Sequence, residues 1–283
     1  MIYYDSAKAG QTCAVKEDVV LWSIDVLKIL LAFMVILRHC AQSFFAADSL
    51  FHIIVVNILS PVAVPTFFAL SSFLLFRKPV TFQRLVHQLK RILKLYIIWS
   101  LVYLPLTIYQ QATKMSVKTF LLTYLQNFLF SGSHYHLWFL PALAFSLAFV
   151  WLLNKYVGRR MQYAILIILF VLGAFAENFS FMLPKAFADV YKMYCRIFLT
   201  TRNGLFFGCL FVGIGKYFSE IYSSLDTERL KKCRIIILPV FLCLIAEGGL
   251  LSSIRENFVA NMLFSAVPFV FLLLPLVILR SVS

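Results

Sequence analysis

Apolar residues fall in long runs, and short clusters of Lys, Arg, Asp and Glu separate them. This pattern predicts helices over about 22–44, 50–76, 91–110, 137–155, 161–178, 203–219, 234–251 and 258–279. Each approaches the roughly 20 apolar residues that cross a bilayer. Only helices or a closed barrel satisfy every backbone polar group in lipid, and barrel strands would alternate polar with apolar residues over about 10 positions. The runs here are continuous in Leu, Ile and Phe. The expected fold is therefore all-α, a polytopic transmembrane helix bundle of about eight spanning helices. Ser116 to Phe130 is too short and too polar for a span and is expected along the interface. With no fixed-period repeat, low-complexity tract or linker, residues 1–283 are expected to form one membrane domain, with no soluble domain expected among them.

Composition supports this reading. The chain is 62% hydrophobic and 13% charged, with mean hydropathy +0.89, whereas a soluble domain carries about 25% charged residues. The net charge of +14 invites a nucleic-acid reading, but the bases sit in the connections between apolar runs. They set topology instead. The densest cluster, Arg77, Lys78, Arg84, Lys90, Arg91 and Lys94, belongs in the cytoplasm by the positive-inside rule, which makes the N-terminus cytoplasmic as well. Lys155, Arg159, Arg160, Arg229, Lys231, Lys232, Arg234 and Arg280 then fall inside. Lys114, Lys118, Lys185, Lys192, Arg196, Arg202 and Arg255 are spread over three outer loops. The first run starts near Trp22, behind Lys16, Glu17 and Asp18, and no cleavage site follows it, so it reads as a retained helix. The six cysteines show no CxxC, and the five histidines form no i, i+4 pair, so no metal site is expected. Cys40 and Cys195 both fall on the outer side, but spacing alone does not pair them.

Ionisable groups inside a bilayer are costly and therefore informative. The first helix carries Asp25, Lys28, Arg38 and His39. The step from Lys28 to His39 leaves the two about 20° apart on one face and roughly 16 Å apart along the axis. Asp25, one turn before Lys28, is placed to pair with it. Two readings stand side by side. In one, the charges snorkel to the two interfaces; in the other, they line a water-filled path or a buried site. Histidine adds a chemical reason for the second, since its pKa near 6.5 suits proton exchange with a hydroxyl.

The segment Ile24-Asp25-Val26-Leu27-Lys28 followed by His39 resembles the opening helix of the membrane acyltransferase 3 family, marked by a basic residue, ten positions and a histidine. Val64 to Leu75 is similar to the family's FF-x-x-SGF-L helix, with Ser72 in place of a glycine. His136-Leu-Trp-Phe-Leu-Pro141 is similar to its HLW[FY]L motif, and Arg202 to Gly215 to its Arg-to-glycine helix. The resemblance implies an acyl-CoA donor, such as acetyl-CoA, on the cytoplasmic side, a carbohydrate or lipid-linked sugar acceptor, and location in a bacterial plasma membrane. It implies a catalytic role for His39, with Lys28 as the preceding basic residue. The family's cytoplasmic RxxR pair falls on Arg91 and Lys94, where lysine keeps the charge but loses the bidentate fork. Ser72 is expected to widen a close helix contact slightly and to be tolerated. Members have about ten helices, whereas this chain ends at Ser283 soon after its eighth candidate helix, so a C-terminally shortened member is expected.

The residues also support this reading on their own chemistry. Lys90, Arg91 and Lys94 lie within about one helical turn, suited either to the phosphates of coenzyme A or to anionic lipid headgroups. His134, His136, Trp138 and Arg202 are expected near the level of His39, where they suit sugar hydroxyls and ring faces, with interfacial anchoring as the alternative for Trp138. Glu247 is expected either to meet this cluster or to pair with a base on another helix. The rival classes are a transporter, which predicts broken helices and symmetric halves that the sequence lacks, and an accessory subunit of an envelope-glycan pathway.

Overall fold

The computed structural model describes residues 22–40, 60–111, 114–254 and 262–278. Among them every regular element is helical: α1 over 22–40, α2 Ala63–Phe76, α3 Phe82–Gln111, α4 Val117–Phe130, α5 Phe139–Tyr156, α6 Arg159–Asn178, α7 Lys185–Phe198, α8 Cys209–Ile221, α9 Thr227–Ile254 and α10 Ala266–Ile278. Five runs are long and apolar enough to cross a membrane, namely α3, α5, α6, Gly204–Ser224 and α9, while α2 and α10 are shorter apolar helices. The expected positions 1–21, 41–59, 255–261 and 279–283 lie outside the described residues.

Two boundaries move for identifiable reasons. Helix α3 begins at Phe82, not near residue 91, because the Thr81 hydroxyl accepts from Arg84 N at 3.2 Å and starts the helix ahead of the apolar run. The basic segment is thus helical, and Arg84 reaches back to the carbonyls of Pro79 and Leu74. Helix α7 was not anticipated. It is amphipathic, and its apolar positions follow a helical period too short and too interrupted to read as a span. The segment expected along the interface is α4, which buries no residue and is capped by Ser116.

The core is arranged around α8, which is mostly buried. Outer helices turn Ile97, Leu101, Ile168, Leu172, Ile235 and Leu238 outward, as lipid-facing surfaces require. Helices α2 and α8 pack backbone to backbone. A Cβ on Gly215 would stand 2.0 Å from the Ala69 carbonyl oxygen, so only glycine fits there. Ser72 is fully buried at this contact, and its hydroxyl donates to the Val212 carbonyl at 2.6 Å. It therefore ties the two helices together instead of widening their contact. Among the described residues Glu247 meets neither the histidines nor a base. Its carboxylate accepts from Phe264 N and Ser265 N, both at 2.8 Å, and from the Ser265 hydroxyl, and so caps α10.

At one end of the bundle lie Arg77, Lys78 and Arg84 with a buried Lys216, which is bonded to Glu220; Glu220 also bridges to Arg159 at 3.1 Å. This is the basic end. The far end is closed by the 131–138 connection, the turn before α8, and helices α4 and α7.

Candidate functional site

The connection between α4 and α5 is pinned before it delivers its histidines. The Tyr96 hydroxyl donates to the Phe128 carbonyl at 2.7 Å and accepts from Ser133 N at 2.8 Å, while the Ser100 and Ser133 hydroxyls meet at 2.6 Å. Gly132 takes φ +92°, and a Cβ there would strike the Trp138 backbone at 2.5 Å. A left-handed glycine is thus required for the loop to fold onto the start of α5.

On the other side, Asn203 accepts from Leu205 N and Phe206 N and opens a π-helical turn, Gly204–Gly208, that leads into α8. Its carbonyl at Gly204 accepts from the Ser146 hydroxyl at 2.8 Å. Such turns break the regular ladder and re-aim the chain. Here the turn leaves Arg202 at the mouth of the bundle.

These segments enclose a cavity of about 250 Å³ against α1, with Arg38, His39, Tyr135, His136, Trp138 and Arg202 in its wall and Val64 and Phe67 of α2 as its apolar floor. The His39 and His136 rings lie 4.0 Å apart between centroids, and Tyr135 stands edge-on to His39 at 5.6 Å. The Arg202 guanidinium sits 4.7 Å from the Trp138 ring centroid, a cation–π arrangement. Arg38 is hydrogen-bonded to Tyr135. His134 stacks on Tyr103 at 4.5 Å and lies 5.2 Å from His136. Burial pushes His134 and His136 below the usual imidazole range, and for His136 the neighbouring His134 adds to it. Both are therefore neutral at pH 7. Buried His136 Nδ1, His134 Nδ1 and Arg202 Nε have no hydrogen-bond partner among the described residues, although buried polar groups are paired as a rule.

Four of the residues expected at the site, His39, His136, Trp138 and Arg202, thus meet in one cavity. The others do not join them. Lys28 is paired with Asp25 at 3.1 Å toward the other end of α1. Lys90, Arg91 and Lys94 are exposed on α3 and do not line this cavity. The cation beside His39 is its neighbour Arg38, which the sequence marks only as one more charge in a helix. Tyr135 was also missed, although it stands between the two histidines in the sequence. Among the described residues no group of three or more metal-ligating side chains converges.

Comparison with known proteins agrees with this geometry. The acyltransferase domain family known as acyltransferase 3 matches residues 21–282. An amino-acid racemase of Enterococcus faecalis is 31% identical over 78% of this chain and 30% of its own length. A serine/alanine racemase of Enterococcus gallinarum is 26% identical over 81% of this chain and 33% of its own length. The chain spans about a third of the length of these curated relatives. No solved structure matches it. A family match over nearly the whole of a multispanning helical chain, with the motif residues gathered in one cavity, means that this protein belongs to the acyltransferase 3 family of membrane proteins.

Proposed function

We propose that the protein transfers an acetyl or other short acyl group from acyl-CoA to a hydroxyl of a cell-envelope sugar, with the chemistry in the cavity at the far end of the bundle. The observation that carries this reading is the His39–His136 pair at 4.0 Å in a cavity that Arg38 and Arg202 also line, with buried His136 Nδ1 and Arg202 Nε unpaired among the described residues. Neutral imidazoles beside unspent polar groups suit a hydroxylated ligand, and an aromatic wall suits the face of a sugar ring. His39 takes the proton of the acceptor hydroxyl as general base while that oxygen attacks the thioester carbonyl; the C–S bond then breaks, and the coenzyme A thiolate leaves with the proton returned from His39. His136 orients the acceptor hydroxyl, and Arg38 and Arg202 stabilise the oxyanion that develops at the thioester carbonyl. Trp138 supplies the ring-facing surface.

In this reading the basic end faces the cytoplasm of a bacterial plasma membrane, with the N-terminus inside. Lys90, Arg91 and Lys94, exposed on α3, meet the donor's phosphates, and Lys28 stands on that same side. The deciding experiment is transfer of labelled acetyl from acetyl-CoA to membrane glycolipid, with the native chain compared with His39→Ala at matched membrane expression. Loss with His39→Ala supports the reading. Equal transfer by both removes His39 as the base.

A second reading rests on the names of the relatives. The chain matches about a third of proteins called amino-acid racemases, so the same cavity serves as an amino-acid site in a membrane module that assists another enzyme, with Arg38 and Arg202 receiving a carboxylate. Saturable binding of labelled amino acid with no acetyl transfer selects it.

A further inference from the structure

Arg202 depends on a turn that has little reason to hold its shape alone. Leu199 takes φ +67°, in the left-handed half of the map where a side chain is strained, and Thr200 N bonds to the Phe198 carbonyl two residues back at 2.8 Å. Tight, strained turns of this kind persist only where their surroundings over-determine them. Chief among those surroundings is one carboxylate. Glu177, at the end of α6, accepts through a single oxygen from Thr201 N at 2.9 Å, from the Thr200 and Thr201 hydroxyls at 2.8 Å each, and from the Tyr191 hydroxyl at 3.0 Å. The Thr201 hydroxyl also reaches the Gly173 carbonyl at 2.9 Å. Arg202 N in turn donates to the Thr200 hydroxyl at 2.9 Å. Asn203 adds two bonds of its own, from its backbone N to the Thr201 carbonyl at 2.8 Å and from Nδ2 to the Thr200 carbonyl at 2.9 Å, but the threonine hydroxyls and Thr201 N, which lead into Arg202, all converge on Glu177.

We propose that Glu177 is the positioning residue of the cavity, its carboxylate holding the Thr200–Thr201 turn so that the Arg202 guanidinium lies over Trp138. It touches no substrate and acts through Arg202. The carboxylate is suited to this because it carries a charge and no proton, so one of its oxygens draws several donors together. Tyr191 extends the same hold to α7, whose Tyr194 hydroxyl accepts from Asn203 Nδ2 at 2.7 Å on the other flank of Arg202. Burial and the Glu177 carboxylate push the Tyr191 phenol up, so it remains a donor. Helix α7 therefore has a part in the site although none of its residues lines the cavity. Phe187, Val190, Met193 and Ile197 of the same helix are exposed.

This proposal rests on the reading of the cavity as the transfer site, so its test has one arm that needs no activity. Purified full-length protein in detergent is treated with phenylglyoxal, and Arg202 modification is followed by mass spectrometry, with Arg159 as internal reference because it pairs with Glu220 at the other end of the bundle. Glu177→Ala is expected to raise the rate at Arg202 about tenfold and leave Arg159 unchanged; Glu177→Asp, which keeps the acceptor, and Tyr191→Phe, which removes one donor to Glu177, are expected to raise it less. An unchanged Arg202 rate overturns the proposal. So does a rise at both arginines, which would make Glu177 a general stabiliser. In the second arm, Glu177→Ala raises the acceptor KM about tenfold at constant donor KM and adds nothing to Arg202→Ala, whereas additive effects overturn the link. Labelling as expected in a protein without transfer would leave the positioning role standing and remove the acyltransfer reading.

Discussion

His39 on α1 and His136 in the connection before α5 stand 4.0 Å apart, edge to face, although neither belongs to the other's element. In the proposed transfer, their proximity would separate two roles that one histidine in water would combine. A base must be free to take a proton, and an orienting group must hold its tautomer; two rings in contact allow each to do one task.

The first prediction follows from that division. His39→Ala is expected to lower kcat for acetyl transfer by about 10²–10⁴-fold, the usual contribution of a positioned general base. His136→Gln, which keeps a donor and an acceptor but loses the ring, is expected to act mainly on the acceptor KM. Steady-state kinetics on membranes of equal protein content distinguish the two.

The pH dependence has a definite sign. His134 and His136 titrate below their ordinary value in the folded protein because burial penalises the charged form. The unfolded chain therefore takes up protons first as pH falls through about 6.5, and the folded state loses stability below that pH while losing nothing above it. Thermal unfolding in detergent is expected to show a Tm that is flat from pH 7 to 8 and falls toward pH 5. His136→Gln is expected to reduce the slope, and an unaltered slope would place the titration elsewhere.

Arg202→Lys keeps the charge and loses both the planar fork and the stacking on Trp138. A cation–π contact is worth about 0.5–2 kcal/mol, so acceptor affinity is expected to fall by roughly 2–30-fold. Trp138→Phe, which retains a weaker ring, is expected to lie at the low end of the same range.

Stability is concentrated where α2 meets α8. Gly215→Ala places a methyl carbon 2.0 Å from a carbonyl oxygen that cannot move independently of its helix, and its cost is expected to be on the order of 3 kcal/mol. Ser72→Ala removes one buried hydrogen bond to Val212 and is expected to cost about 1 kcal/mol. Ser72→Gly is expected to be the worse of the two, since it adds backbone freedom to the lost bond.

Glu247→Gln weakens the cap of α10 but keeps an acceptor, whereas Glu247→Ala leaves Phe264 N and Ser265 N without theirs. A loss of about 1–2 kcal/mol is expected for the alanine variant, as for other helix caps. Faster hydrogen exchange confined to the start of α10 would identify the cause.

Much of this protein is written in the local sequence. Continuous apolar runs require helices in a bilayer, because no other open structure satisfies the backbone there, and His39, His136, Trp138 and Arg202 carry motifs that can be recognised without coordinates. What the local pattern leaves undecided is which charges meet. Lys28 shares a helix face with His39, yet the rise per residue keeps it at the other end of that helix, paired with Asp25, and the cations in the cavity are Arg38 and Arg202. Glu247 and Glu177 read alike, as acids near the ends of apolar runs. Only the packing makes one the cap of α10 and the other the hold on the Arg202 turn, because a carboxylate's role depends on which donors the fold brings to it. Helix α7 is undecided for a similar reason. Its tyrosines have partners only once Glu177 and Asn203, on other elements, reach them.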